Sequence, residues 1–144
     1  MTDYTTSVTI DRPPQDVFAA INDVRGWWGV DVQGSNARVG DEFTYRVQDI
    51  HRSRLRVVEL VPGRRVAWLV LENRMNFVRD QTEWVGTTIV FDIVDRGGRT
   101  EVTFTHRGLT KRYECFDVCS DAWGSLLHHS LPSLVTTGTG HPYR

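Results

Sequence analysis

Cysteine is scarce in this 144-residue chain, which has only two. Cys115 and Cys119 stand four apart at helical spacing, which stacks their side chains on one side of a helix. A disulfide demands a restricted geometry, and a cytoplasmic setting keeps thiols reduced, so the expectation is two small core-facing or partly covered thiols. Zinc would need two more ligands. The only histidine near them in sequence, His106, falls in the preceding strand without a second paired motif, and no metal is expected.

An excess of one charge is also missing. The formal net charge is -1, with both signs scattered along the chain and no basic stripe to neutralise a run of phosphates. Nucleic acid is therefore not an expected partner. Apolar stretches such as 66–71 are far too short to span a bilayer, and Met1-Thr-Asp-Tyr-Thr-Thr has neither a positive start nor an apolar run. A soluble, cytoplasmic protein without a signal peptide is expected. No repeat, low-complexity tract or linker interrupts the chain, so 1–144 reads as one domain, long enough to bury roughly two-thirds of its unfolded surface. Ser120, Ser125 and Ser130 lack a glycine-flanked nucleophile elbow, and Gly97-Gly98 makes a turn, not a phosphate cradle. Nothing marks a catalytic constellation, and no cofactor is implied.

What is present is alternation, followed by helical periodicity. Tyr4 to Ile10 reads as a strand, and Asp11-Arg-Pro-Pro opens a short helix from Pro14 to about Asp23 with Val17, Phe18, Ile21 and Val24 on one stripe. It ends near Arg25-Gly-Trp-Trp-Gly, where a second short turn can hold Trp27 and Trp28. A polar loop at Gln33-Gly-Ser-Asn precedes a strand carrying Phe43, Tyr45 and Val47. Leu55 to Val61 and Val66 to Glu72 form a hairpin around Pro62-Gly63. Asn73 to Thr82 reads as a longer loop or frayed strand end, and its Phe77 is the kind of apolar loop residue that caps a pocket. Trp84 to Val94 and Thr100 to His106 form the last hairpin around Asp95-Arg-Gly-Gly.

From about Cys115 to Thr137 the seam Phe116, Cys119, Trp123, Leu126, Leu127, Leu131 and Leu134 has the spacing of one helical face. Pro132 should bend this helix or mark its final turn. The fold class is therefore α+β: a curved antiparallel sheet wrapped around a long C-terminal helix, with one or two short helices after the first strand.

This order of elements resembles the START-like (SRPBCC) superfamily and its helix-grip fold, and in particular bacterial homologues of the activator of the Hsp-type chaperone ATPase. The resemblance covers essentially the whole chain. Its residues are Val8-Thr-Ile-Asp-Arg-Pro-Pro-Gln-Asp-Val-Phe, Val39-Gly-Asp-Glu-Phe, Val57-Val-Glu-Leu-Val-Pro, Thr100-Glu-Val-Thr-Phe-Thr-His-Arg-Gly-Leu109, and the closing Trp123-Gly-Ser-Leu-Leu. It implies a sheet curling round the last helix with a cavity between them. Such folds serve as lipid carriers, hormone receptors, cyclases and chaperone regulators, so fold alone does not fix function.

Period-two alternation aims Phe43, Tyr45 and Val47, then Val66, Trp68 and Val70, then Ile89, Phe91 and Ile93, then Val102, Phe104 and His106 toward that cavity. The opposite face of 66–71, Ala67, Leu69 and Leu71, is equally apolar and could be covered by a second copy, making a homodimer possible. The expected cavity lining is Trp28, Tyr45, Trp68, Phe77, Trp84, Phe91, Phe104, His106, Trp123 and Leu127. Rings so placed suit a small apolar or aromatic ligand, although any one tryptophan can equally be core.

Three functions follow. The favoured one is binding of such a ligand, with Tyr45 and His106 orienting it. A cyclase or dehydratase could use the same cavity with His106 as proton shuttle and Glu59 or Asp92 beside it, while a strand-end structural histidine is the plainer reading. A module regulating a chaperone ATPase is the third. His128 and His129 cannot face the same side of one helix and make a poor metal site.

Overall fold

A computed structural model describes residues 2–144. Seven strands form one antiparallel sheet: β1 (Tyr4–Ile10), β2 (Asp31–Gly34), β3 (Glu42–Val47), β4 (His51–Val61), β5 (Arg65–Met75), β6 (Thr88–Asp95) and β7 (Thr100–Arg107). Their order across the sheet is β1-β7-β6-β5-β4-β3-β2, so the first two strands of the chain lie at opposite edges. Two short helices, α1 (Pro14–Asn22) and α2 (Val24–Trp27), connect them. Pro13 and Pro14 sit where a helix has no use for amide hydrogens, which is why the chain can turn there.

The C-terminal helix is continuous from Phe116 to Thr137 but not uniform. It runs as α3 (Phe116–Ser125), a π-helical turn (Leu126–Ser130) and α4 (Leu131–Thr137). Pro132, in the first turn of α4, has no amide to donate, and the wider turn directly precedes it. Gly138, with φ of 84°, ends the helix in the left-handed conformation that glycine adopts without strain. The α+β helix-grip architecture expected from the sequence is the one observed.

Alternation sets the inner face. Phe43, Tyr45, Leu55, Val57, Val66, Trp68, Val70, Ile89, Phe91, Val102, Phe104 and His106 are all buried, and Trp123, Leu127 and Leu131 meet them from the helix. On the other face of β5, Ala67 is buried and Leu69 and Leu71 are half-buried within the single chain.

Four boundaries differ from the sequence reading. Asp31–Gly34 is an edge strand, not part of a loop, because β3 pairs with it and Arg46 reaches Asp31 at 3.1 Å. β4 begins at His51, four residues before Leu55, and β5 continues past Glu72 to Met75 opposite it, so Asn73 to Met75 follow the strand-end alternative for that segment and not the loop. Trp84 lies in the turn before β6, which starts only at Thr88. Register shifts at Arg54/Leu55 and Val57/Glu59 bend the β4–β5 pair, as bulges do. No described helix is long and apolar enough to cross a membrane.

Candidate functional site

Stacked rings fill most of the space between sheet and helix. Trp28 lies 4.0 Å from Tyr45 and 5.9 Å from Trp68, nearly parallel to both, and 5.0 Å from Trp123. Trp123 also stacks with Trp84 at 5.8 Å and leans on Phe104 at 4.6 Å. Gly29 permits the first stack, since a Cβ there would collide with the Tyr45 ring.

Beyond this pile the rings stop short of closing the interior. A cleft of about 250 Å³ remains beside α3, lined by Trp28, Tyr45, Val47, Ile50, His51, Phe77, Trp84, Val118, Cys119, Ala122, Trp123, Leu126 and Tyr143. Ile50, Phe77, Val118 and Tyr143 are exposed large apolar residues and form its rim. Tyr143 is held there by backbone bonds to the segment after α2: its N–H donates to the Trp28 carbonyl and its carbonyl accepts from Val30, both at 2.9 Å.

Of the residues named from sequence, Trp28, Tyr45, Phe77, Trp84 and Trp123 meet in this cleft. Trp68, Phe91, Phe104 and Leu127 are fully buried elsewhere in the core. His106 is also fully buried, behind Trp84 and Trp123. The Trp123 indole N–H donates to its Nδ1 at 3.2 Å. Thr87 lies at 2.8 Å from Nε2 and spends its own hydroxyl proton on the Trp84 carbonyl, so His106 donates from Nε2. Both nitrogens are therefore in use. Burial, with His51 nearby, pushes the His106 pKa down to about 3 and keeps the ring neutral. Glu59 and Asp92 give it no carboxylate partner; both bind Arg65, each at 2.5 Å.

The sequence reading did not single out His51, yet it is the imidazole that borders the cleft. Its signal was present in the alternation, because residues 51, 53, 55 and 57 continue one face of β4. It packs edge-to-face against Trp84 at 4.6 Å and Tyr45 at 5.3 Å. Burial lowers its pKa to about 4. Its Nε2 meets Ser53 Oγ at 2.8 Å, and Asn73 Nδ2 approaches both, at 3.0 Å from Ser53 Oγ and 3.4 Å from Nε2.

Cys115 and Cys119 are free and buried, as small core-facing thiols. The Cys119 thiol and burial push the Cys115 thiol well above its ordinary range, away from the thiolate form. Burial likewise raises the Tyr45 phenol. Among the described residues no three or more His, Cys, Asp or Glu side chains gather as metal ligands. His128 and His129 are both exposed, and His128 Nε2 bonds Thr6 at 2.7 Å.

Residues 11–136 match the family model described as Activator of Hsp90 ATPase homolog 1-like protein. The chain belongs to that family. No curated protein matches the sequence. Among solved structures, the chain is similar to the Aha1 dimer from Colwellia psychrerythraea, at 24% identity over 97% of this chain and 100% of that one, with a TM-score of 0.78. It is similar to protein SSP2350 from Staphylococcus saprophyticus, at 17% identity, 99% and 98% coverage and a TM-score of 0.74. DynU16, a putative protein in the dynemicin biosynthetic locus, shares 15% identity, with 100% of this chain matching 52% of that one at a TM-score of 0.72. At such identities these likenesses establish the fold, and a fold does not by itself fix an activity.

Proposed function

We propose that this member of the Activator of Hsp90 ATPase homolog 1-like family binds a small apolar or aromatic molecule in the cleft beside α3. The observation that carries the reading is the cleft itself: a bounded space of about 250 Å³ walled by Trp28, Tyr45, Trp84 and Trp123 and opening through an apolar rim. Its size admits a guest of one or two rings. Such a guest buries about 150–200 Å² of apolar surface, worth about 4–5 kcal/mol at 25 cal/mol per Å². Association costs at least about 4 kcal/mol, so burial alone gives weak binding and a well-bound ligand needs a polar anchor.

The test is a panel of one-ring and two-ring aromatics and short fatty acids, followed by tryptophan fluorescence and thermal shift. Wild type should respond to part of the panel, and Ala122→Trp, which fills the cleft, should respond to none. A wild-type protein indifferent to the whole panel in both measurements would remove this reading.

A second reading, regulation of a chaperone ATPase, draws on family membership and on the exposed rim residues Ile50, Phe77, Val118 and Tyr143, an apolar surface of the kind that partners cover. Stimulation of a chaperone ATPase that is lost in Val118→Asp would favour it. Cyclase or dehydratase chemistry through His106 gains no support from a ring whose two nitrogens are already bonded.

A further inference from the structure

Resting on the reading of the cleft as a binding site, we infer that His51 is its specificity-determining residue: its Nδ1–H donates to the ligand, which is therefore an uncharged aromatic or apolar molecule bearing an acceptor oxygen, such as a ketone or lactone carbonyl.

A buried chain of hydrogen bonds fixes the proton. The backbone N–H of Trp84 donates to Asn73 Oδ1 at 3.1 Å, which settles the orientation of that amide. Asn73 Nδ2 must then face the other way, and it donates to Ser53 Oγ at 3.0 Å. Ser53 is fully buried, and with one lone pair occupied its hydroxyl has His51 Nε2, at 2.8 Å, as the acceptor for its proton. Asn73 Nδ2 also stands 3.4 Å from that nitrogen, so a proton on Nε2 would confront an amide N–H. Nε2 is thus the acceptor, and a neutral imidazole carries its single proton on the other nitrogen.

Nδ1 takes part in neither of the bonds His51 makes, and it is not among the buried polar atoms sealed off without a partner. The ring belongs to the cleft wall, where the remaining surface is largely aromatic and aliphatic. A donor in that setting selects for an acceptor. It does not select for an anion, because no lysine or arginine lines the cleft to offset the cost of desolvating a carboxylate. The same chain explains why Ser53 and Asn73, two polar side chains, are buried beside the cleft.

Three probes of one shape class separate the possibilities: acetophenone, ethylbenzene and benzoate, titrated into the intact protein and followed by tryptophan fluorescence. Acetophenone should bind about tenfold more tightly than the other two, the value of one net hydrogen bond. His51→Phe should bind acetophenone and ethylbenzene equally. Long-range 1H–15N correlation on the wild-type protein at neutral pH should find the His51 proton on Nδ1, a readout that needs neither a variant nor a ligand. A proton on Nε2, or ethylbenzene or benzoate matching acetophenone, overturns the inference while leaving the cleft a binding site. If none of these probes and no member of the wider panel binds, the binding reading falls and takes this one with it.

Discussion

Two imidazoles, His51 and His106, are held neutral by burial, with pKa values lowered to about 4 and about 3. In the unfolded chain each titrates near 6.5, so below that pH the unfolded state binds protons that the folded state refuses. Their contribution is fully present above about pH 6.5 and is lost as pH falls toward the folded values. Each histidine adds a slope of up to about 1.4 kcal/mol per pH unit within that window. Urea midpoints measured at pH 7 and pH 5 should show clear destabilisation at the lower pH, and equal midpoints would mean that the rings are not buried neutral. Glu42 and Glu72, held low chiefly by hydrogen bonds to Arg56 and Arg54, enter only at lower pH. Gly29 offers a steric test at the same scale. Gly29→Ala drives a methyl group into the Tyr45 ring and should cost about 1–3 kcal/mol by overpacking, visible in urea unfolding together with an altered near-ultraviolet signal from the Trp28–Tyr45 stack.

Among the elements, the last helix is where periodicity spoke most clearly and still left something out. Its apolar seam is legible at three-and-four spacing, whereas the π-helical turn at Leu126–Ser130 is not, because one extra residue in a turn leaves the composition unchanged. That turn delivers Ser130 to the interior, where its hydroxyl donates to the Trp27 carbonyl at 2.7 Å and accepts from the His141 N–H at 2.8 Å. Ser130→Ala would leave both backbone groups without this partner. A loss of about 1–3 kcal/mol in thermal or urea unfolding is expected, and an unchanged midpoint would show that the tie is dispensable. Strand β2 escaped the sequence reading because Asp31-Val-Gln-Gly is short and polar, and only its pairing with β3 makes it a strand. Trp84 was read into a strand, but the turn holding it continues to Gly86, whose φ of 83° breaks extended geometry.

At the level of the whole molecule, alternation identified which side chains face inward but could not say how much room they leave. Ring volumes and stacking distances decide that, and here they fill the centre of the grip and leave the opening alongside α3. Trp68, Phe91 and Phe104 became core for that reason, while Trp28, Tyr45 and Trp84 reached the cleft. The sheet order carries a further consequence. The Thr5 hydroxyl reaches the Phe104 carbonyl across a sequence separation of 99 residues, and among the described residues β7 is the one strand that pairs with β1. β1 therefore stays without a strand partner until β7, 99 residues on at the Thr5–Phe104 contact, is in place. Closing a loop of that length carries an entropic cost, so β1 is expected to pair late and to be the strand most open to mispairing.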